Sequence, residues 1–267
     1  MKRAQLYLST IDPKAGDIAR ANGVGIEIAE FCTAVNADTL FETANEKVLS
    51  QIRGVPRRVL HGAFNELFPC AIDPLARELV AYRYTQALEL SGRYGAGKLV
   101  LHGGYSPKLY YPCWYVEQSV IFWRKFLENH PEKFEICLEN VMEEEPDMLL
   151  SIVRQVDDPR LTLCLDVGHV NHYSGVPAME WMERYGGHLS HLHLHNNDAS
   201  ADTHSALPCG SLPMADLIRH IGASMTATLE LIEIGDSIPW LTENGLLESG
   251  TLSSPEDLKQ TGEQHEF

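Results

Sequence analysis

Apolar and polar positions along the chain follow two rhythms. Short runs rich in Leu, Val and Ile recur between longer stretches with helical spacing, and Gly, Pro and Asn mark the breaks. Consecutive βα units produce this pattern. Residues 6–8, 25–31, 58–61, 98–102, 134–141, 161–166, 189–195 and 227–233 read as eight strands. Residues 17–21, 39–52, 74–94, 116–129, 146–156, 178–185 and 213–221 read as helices, and Pro239 opens a short last one. Pro74 stands near the start of the longest helix, where its missing N–H costs nothing. Several strands are apolar on both faces, as parallel strands covered by helices should be. The order predicts an α/β fold, a single-domain (β/α)8 TIM barrel.

The length of 267 residues suits one such barrel, which typically takes about 250. Residues 1–248 are expected to form it, and 249–267, where the chain turns polar and charged, to be a poorly packed tail. No run reaches the roughly 18 apolar residues that a membrane span requires. The N-terminus turns polar at Ser9-Thr10 and builds no signal-peptide core. Six cysteines lie at 32, 70, 113, 137, 164 and 209 with no C-x-x-C pair, which argues for reduced thiols and against a thiolate zinc site. A cytoplasmic location is the expectation. With 37 acidic against 21 basic residues the net charge is −16, which repels phosphate backbones at long range. That balance counts against a dedicated nucleic-acid partner without excluding one, because bound metals invert a local field. No interface motif stands out, and a homo-oligomer is left open.

Groups able to ligate a metal fall repeatedly where a strand ends. His61 ends the third strand, His102 the fourth, Glu139 the fifth and Asp166 the sixth, with His169 just beyond. His195 ends the seventh, Asp202 and His204 follow it, and Glu230 lies late in the eighth. In a (β/α)8 barrel the strand C-termini converge on one mouth, so these nine residues should meet. Four of them are carboxylates, which repel strongly unless cations or protons intervene. Imidazole with carboxylate suits zinc, manganese, iron or cobalt rather than calcium. His191 and His193 share a strand face with His195, and are expected deeper in the barrel as supporting or packing groups. His130, His188, His220 and His265 lie in helix or tail contexts and read as solvated.

His61, His102, Glu139, Asp166-Val-Gly-His169, His195-Asn-Asn-Asp198, Asp202-Thr-His204 and Glu230, taken in order, resemble the superfamily that holds endonuclease IV and the xylose isomerase-like sugar isomerases and epimerases. The resemblance spans roughly residues 5 to 235. In endonuclease IV the corresponding nine residues bind three zinc ions. In the sugar epimerases a smaller set binds one metal, and the resemblance places that set on Glu139, Asp166, His195 and Glu230, with the two glutamates as catalytic acid and base. The wording around His61, His102 and His204 departs from the nuclease, and Asp-Val-Gly-His is closer to the sugar-active members. The basic cluster Arg53, Arg57 and Arg58 precedes the third strand and belongs at the opposite end of the barrel.

Two expectations follow. The first is a divalent-metal-dependent isomerase or epimerase of a small sugar or sugar phosphate, working through an enediolate-type proton transfer. Phe64, Tyr105, Trp114 and His172 are its candidate substrate-binding residues. The alternative is an endonuclease IV-like phosphoesterase with a di- or trinuclear site. One to three divalent ions (Zn, Mn, Fe or Co) per chain cover both.

Overall fold

In the computed structural model, which describes residues 1–248, eight parallel strands close into a barrel in sequence order. They are β1 (Leu6–Ser9), β2 (Gly25–Ile28), β3 (Arg58–His61), β4 (Lys98–His102), β5 (Ile136–Glu139), β6 (Leu161–Asp166), β7 (Leu189–Leu194) and β8 (Thr226–Leu229). The outer ring contains α1 (Ala15–Asn22), α2 (Ala34–Ala37), α3 (Phe41–Ile52), α4 (Pro74–Tyr94), α5 (Pro112–Asn129), α6 (Asp147–Val156), α7 (Val167–Tyr173), α8 (Ala178–Tyr185), α9 (Met214–Arg219) and α10 (Ser237–Glu243). The tail expected over 249–267, with His265, lies outside the described residues. Among the described residues no helix is long and apolar enough to cross a membrane.

A period of two sorts the strand residues between the two sides of the barrel wall. Leu8, Ile26, Leu60, Leu99, Leu101, Leu138, Leu163, Leu192, Leu194 and Leu229 join the helices in one continuous apolar core. Their intervening neighbours turn inward. Tyr7, Val59, Val100, Cys137 and Cys164 form a separate small cluster inside the barrel. Towards the strand C-termini the inward residues become acids and histidines. The barrel is therefore plugged below and polar at its mouth.

The helix ends follow local chemistry. Asp73 accepts a hydrogen bond from the Leu75 amide and Pro74 opens α4, while Gly95 closes it in the left-handed conformation. Pro112 starts α5 four residues earlier than the hydrophobic spacing suggests. The second strand stops at Ile28 because Glu30–Cys32 turns into a 3-10 helix. Arg57 and Arg58 donate to the carbonyls of Gly23, Val55 and Tyr94, so the basic cluster ties loops together at the N-terminal face.

Leu192→Ala should cost about 2–5 kcal/mol, the range for a buried leucine replaced in a tight core. Urea denaturation of the metal-stripped protein measures it. A loss below about 1 kcal/mol would mean that the outward face of β7 is not packed as described.

Candidate metal centre

The segment Leu189-Ser190-His191-Leu192-His193-Leu194-His195 sets the centre. Leu192 and Leu194 face the helices, so His191, His193 and His195 stack inward at three heights. Strand register places His193 level with Asp166 on β6 and Thr228 on β8. Its Nδ1 lies 3.2 Å from Glu230 Oε2, 3.3 Å from Glu139 Oε1 and 3.8 Å from Asp166 Oδ2. One potential ligand atom from each of these four buried residues falls within 4.8 Å of the others.

The sequence expectation joins His195 to those three acids and leaves His193 as a deeper supporting group. In the structure both stand against these acids: His193 Nδ1 lies nearest Glu139 and Glu230, and His195 Nε2 lies nearest Asp166. His195 sits one level higher, with Nε2 2.9 Å from Asp166 Oδ1 and its ring stacked on His204 at 4.0 Å. The reason is stagger: strands in a closed barrel are sheared, so their ends do not lie at one height. The three-histidine alternation is visible in the sequence, but the level matching Asp166 needs the register.

Around this centre the remaining expected residues assemble. His61 Nδ1 bonds the Gly62 carbonyl, which turns Nε2 towards Glu139 Oε2 at 3.0 Å. His102 Nε2 approaches the same oxygen at 3.5 Å. Asp166 also caps α7, accepting from the His169 amide at 2.7 Å. That cap explains a helix absent from the sequence expectation, and it aims His169 back into the mouth. His169 Nδ1 meets the Asn140 carbonyl at 2.8 Å, leaving Nε2 3.3 Å from Asp202. His204 reaches Asp202 at 3.4 Å and bonds the Glu230 carbonyl at 2.9 Å. It does so with φ at +46°, a left-handed conformation that costs a non-glycine residue about 1–2 kcal/mol. His169, His195, Asp202 and His204 form a second group with potential ligand atoms within 4.8 Å.

Imidazoles are the sole ion-pair partners of Glu139, Asp166, Asp202 and Glu230 among the described residues. Burial alone would raise the Glu139 carboxyl, but His193, His102 and His61 hold it well below the usual carboxylate range. Burial likewise opposes ionisation of Glu230, and His193 outweighs it. Asp166 falls to about 2 because His169 and His195 overcome its burial. In return, burial notwithstanding, Asp166, Asp202 and Glu139 lift His169 to about 10, and Asp202 with Glu230 lifts His204 to about 9. His102 falls to about 3, because its burial dominates and neighbouring imidazoles repel its charge.

Glu139 Oε1, His193 Nδ1, His195 Nδ1 and Asp202 Oδ1 are buried and lack hydrogen-bond partners. Orphaned carboxylate oxygens and imidazole nitrogens gathered in one place are what a divalent cation's donor set requires. The residues present fit such an ion.

The candidate substrate-binding residues separate. Phe64 is at the centre, stacked on His102 at 4.2 Å and edge-on to His61. Trp114 donates its indole N–H to the Cys70 carbonyl, and Tyr105 is buried against Tyr115. His172 bonds the Ala199 carbonyl and packs on Tyr173. Tyr173, which the sequence reading passes over, is partly exposed with its ring 6.4 Å from His169. His130, expected in solvent, instead bonds Thr85 and the Phe126 carbonyl. Gly168 has a local reason: a Cβ there would overlap the His195 ring.

A closed parallel barrel with a buried imidazole–carboxylate centre at its mouth defines the class. The family model of xylose isomerase-like TIM barrels matches residues 18–243, and the chain belongs to that family. Protein MJ1311 of Methanocaldococcus jannaschii is 26% identical over 194 residues, covering 67% of this chain and 66% of its own. Fructoselysine 3-epimerase of Shigella flexneri is 26% identical over 160 residues, covering 54% of this chain and 58% of its own. The matched segments thus span less than two thirds of these relatives. The TTHB071 protein from Thermus thermophilus, in crystals soaked with ZnCl2, superposes with a TM-score of 0.70 at 22% identity over 90% of this chain and 97% of that one. That likeness establishes the fold.

Metal-stripped protein should be most stable near pH 6.5. His169 and His204, raised to about 10 and 9 from an ordinary 6.5, contribute stability fully present below 6.5 and lost as pH climbs towards 10. His102, depressed to about 3, contributes stability present above 6.5 and lost as pH falls. Thermal melts in chelator should show Tm dropping from pH 7 to 9.5. A Tm that is flat or rising across that interval would contradict the assignment.

Proposed function

We propose that this protein is a divalent-metal-dependent isomerase or epimerase of a small sugar or sugar phosphate. One observation carries the reading: Glu139, at the end of β5, and Glu230, just after β8, both reach His193 Nδ1, with Asp166 completing the set. A bound divalent ion supplies Lewis-acid polarisation of a carbonyl and the adjacent hydroxyl. The neighbouring imidazoles keep both glutamates ionised, the state a general base needs. One ionised glutamate takes the proton from the carbon beside the carbonyl. The other first gains a proton from solvent or an adjacent imidazolium and returns it to the carbon from its own side. The first then releases its proton to solvent, and the starting charges are restored. The buried setting excludes bulk water. Phe64 and Tyr173 offer flat apolar faces at the rim. The similarity to fructoselysine 3-epimerase supports a sugar substrate.

A second reading is an endonuclease IV-like phosphoesterase. The group His169, His195, Asp202 and His204, together with His61 and His102 around Glu139, favours it, because these residues offer ligands for further ions. The net charge of −16 and the placement of the arginine cluster at the far end oppose a DNA substrate.

The discriminating experiment incubates metal-loaded protein with ketoses and ketose phosphates in D2O and follows solvent deuterium at the carbon beside the carbonyl by NMR. Exchange that chelator abolishes, that Mn2+ or Co2+ restores, and that Glu139→Gln or Glu230→Gln lowers by about 10²–10⁴-fold is the expected result. Three ions per chain by elemental analysis, with phosphoester cleavage and no exchange, would establish the second reading instead. His193→Ala should weaken the first ion more than the about 10–100-fold typical of supporting residues. His195→Ala should weaken it less than His193→Ala does, and calorimetric titration ranks the two. The reverse order would contradict the centre described here.

A further inference from the structure

Over its first half α4 is apolar on two sides. Val80, Tyr84 and Ala87 are buried against the barrel. Leu75, Leu79 and Tyr82 face away from it and are 71%, 44% and 58% exposed. Their spacings of four and three put them on one helix face. Ile72, just ahead of the helix, continues the stripe and is exposed, as are Leu109 and Tyr111 in the loop after β4. The two segments are joined beneath the surface: the Phe68 and Tyr110 rings lie 5.8 Å apart, and Trp114 donates to the Cys70 carbonyl at 2.9 Å. Other helices of the ring present charge instead. α6 exposes Asp147, Arg154 and Gln155, and α8 exposes Glu180 and Glu183.

A helix apolar all round belongs between two bodies, and a contiguous apolar patch marks an interaction surface. A stable dimer buries about 800 Å² on each partner, roughly 56–65% of it apolar. Six large side chains this exposed supply area of that order. The pattern also names the occupant. Ile72, Leu75, Leu79 and Tyr82 are spaced three, four and three apart, the alternation of a seam between two parallel helices. Charged residues beside such a seam set partner choice and orientation. Here they are Glu78 on one flank and Arg83, five residues on, along the other. A parallel two-fold brings each Glu78 opposite Arg83 of the other copy, so the face is complementary to itself, as a two-fold interface requires. Glu78 is exposed and has no ion pair among the described residues. Arg83 is steadied by Asp38 at 2.8 Å and lies 5.2 Å from the centre of the Tyr82 ring.

We propose that this face is a two-fold interface with a second copy of the chain, the two α4 helices side by side and parallel. The loop over residues 62–73 runs from the mouth, where Phe64 stacks on His102, to Ile72 in the patch. The second copy therefore braces one wall of the mouth. Sedimentation velocity on the full-length protein over about 0.1–100 μM tests the proposal. The expected species has twice the chain mass. Leu79→Lys should raise the dimer Kd about 30-fold or more. Glu78→Arg sets like charges opposite each other and should raise it about 2–5-fold. Ile232→Lys, at an exposed position after β8, should leave it unchanged. Leu75→Lys carries the test if Leu79→Lys fails to fold. A monomer throughout that range, a dimer that both lysine variants leave intact, or a mass that keeps growing with concentration would overturn the interface. A dimer that Glu78→Arg tightens or leaves unchanged would overturn its parallel register.

Discussion

Carboxylates taken from water and crowded together must be neutralised, and the centre of this barrel is organised around that requirement. Glu139, Asp166 and Glu230 are buried, Asp202 is half-buried, and all four converge without a lysine or arginine partner among the described residues. Each buried ion costs several kcal/mol unless compensated. Six imidazoles from His61, His102, His169, His193, His195 and His204 surround them. Protons on those imidazoles supply compensating positive charge, and a divalent ion would compete with them for the same donors. The raised His169 and His204 and the lowered Asp166 are the proton-filled form of that balance.

The fold supplies the crowding cheaply because strand periodicity separates two jobs. Leucines on one side of each strand bind the helices, and their neighbours are free to carry chemistry inward. A small apolar cluster closes the barrel below, so the centre opens only at the mouth and sits in low dielectric. Local hydrogen bonds then hold these side chains and their loops in place. Asn140 brackets the backbone of Asp166 through both its N–H and its carbonyl. Asn197 ties the loop after β7 to the Gly168 carbonyl, and Asp166 doubles as the cap of α7.

Much of this was legible in the sequence for a physical reason. Eight apolar runs separated by helical spacing admit few architectures, and the C-terminal ends of parallel barrel strands must share one mouth. All nine expected ligand residues stand around that mouth. What periodicity cannot supply is height. It showed that His191, His193 and His195 share a face, but only the register of β7 against β6 puts His193 beside Asp166. The orientation of Trp114 was not legible because it depends on a distant carbonyl, that of Cys70.

The account reduces to a position in space, and anomalous diffraction from crystals grown with Co2+ reads that position directly. It predicts an ion with His193 Nδ1 and oxygens of Glu139, Asp166 and Glu230 in its inner sphere, at about 2.0–2.2 Å. An ion ligated through His195 in place of His193, or anomalous density confined to the outer surface, would contradict it.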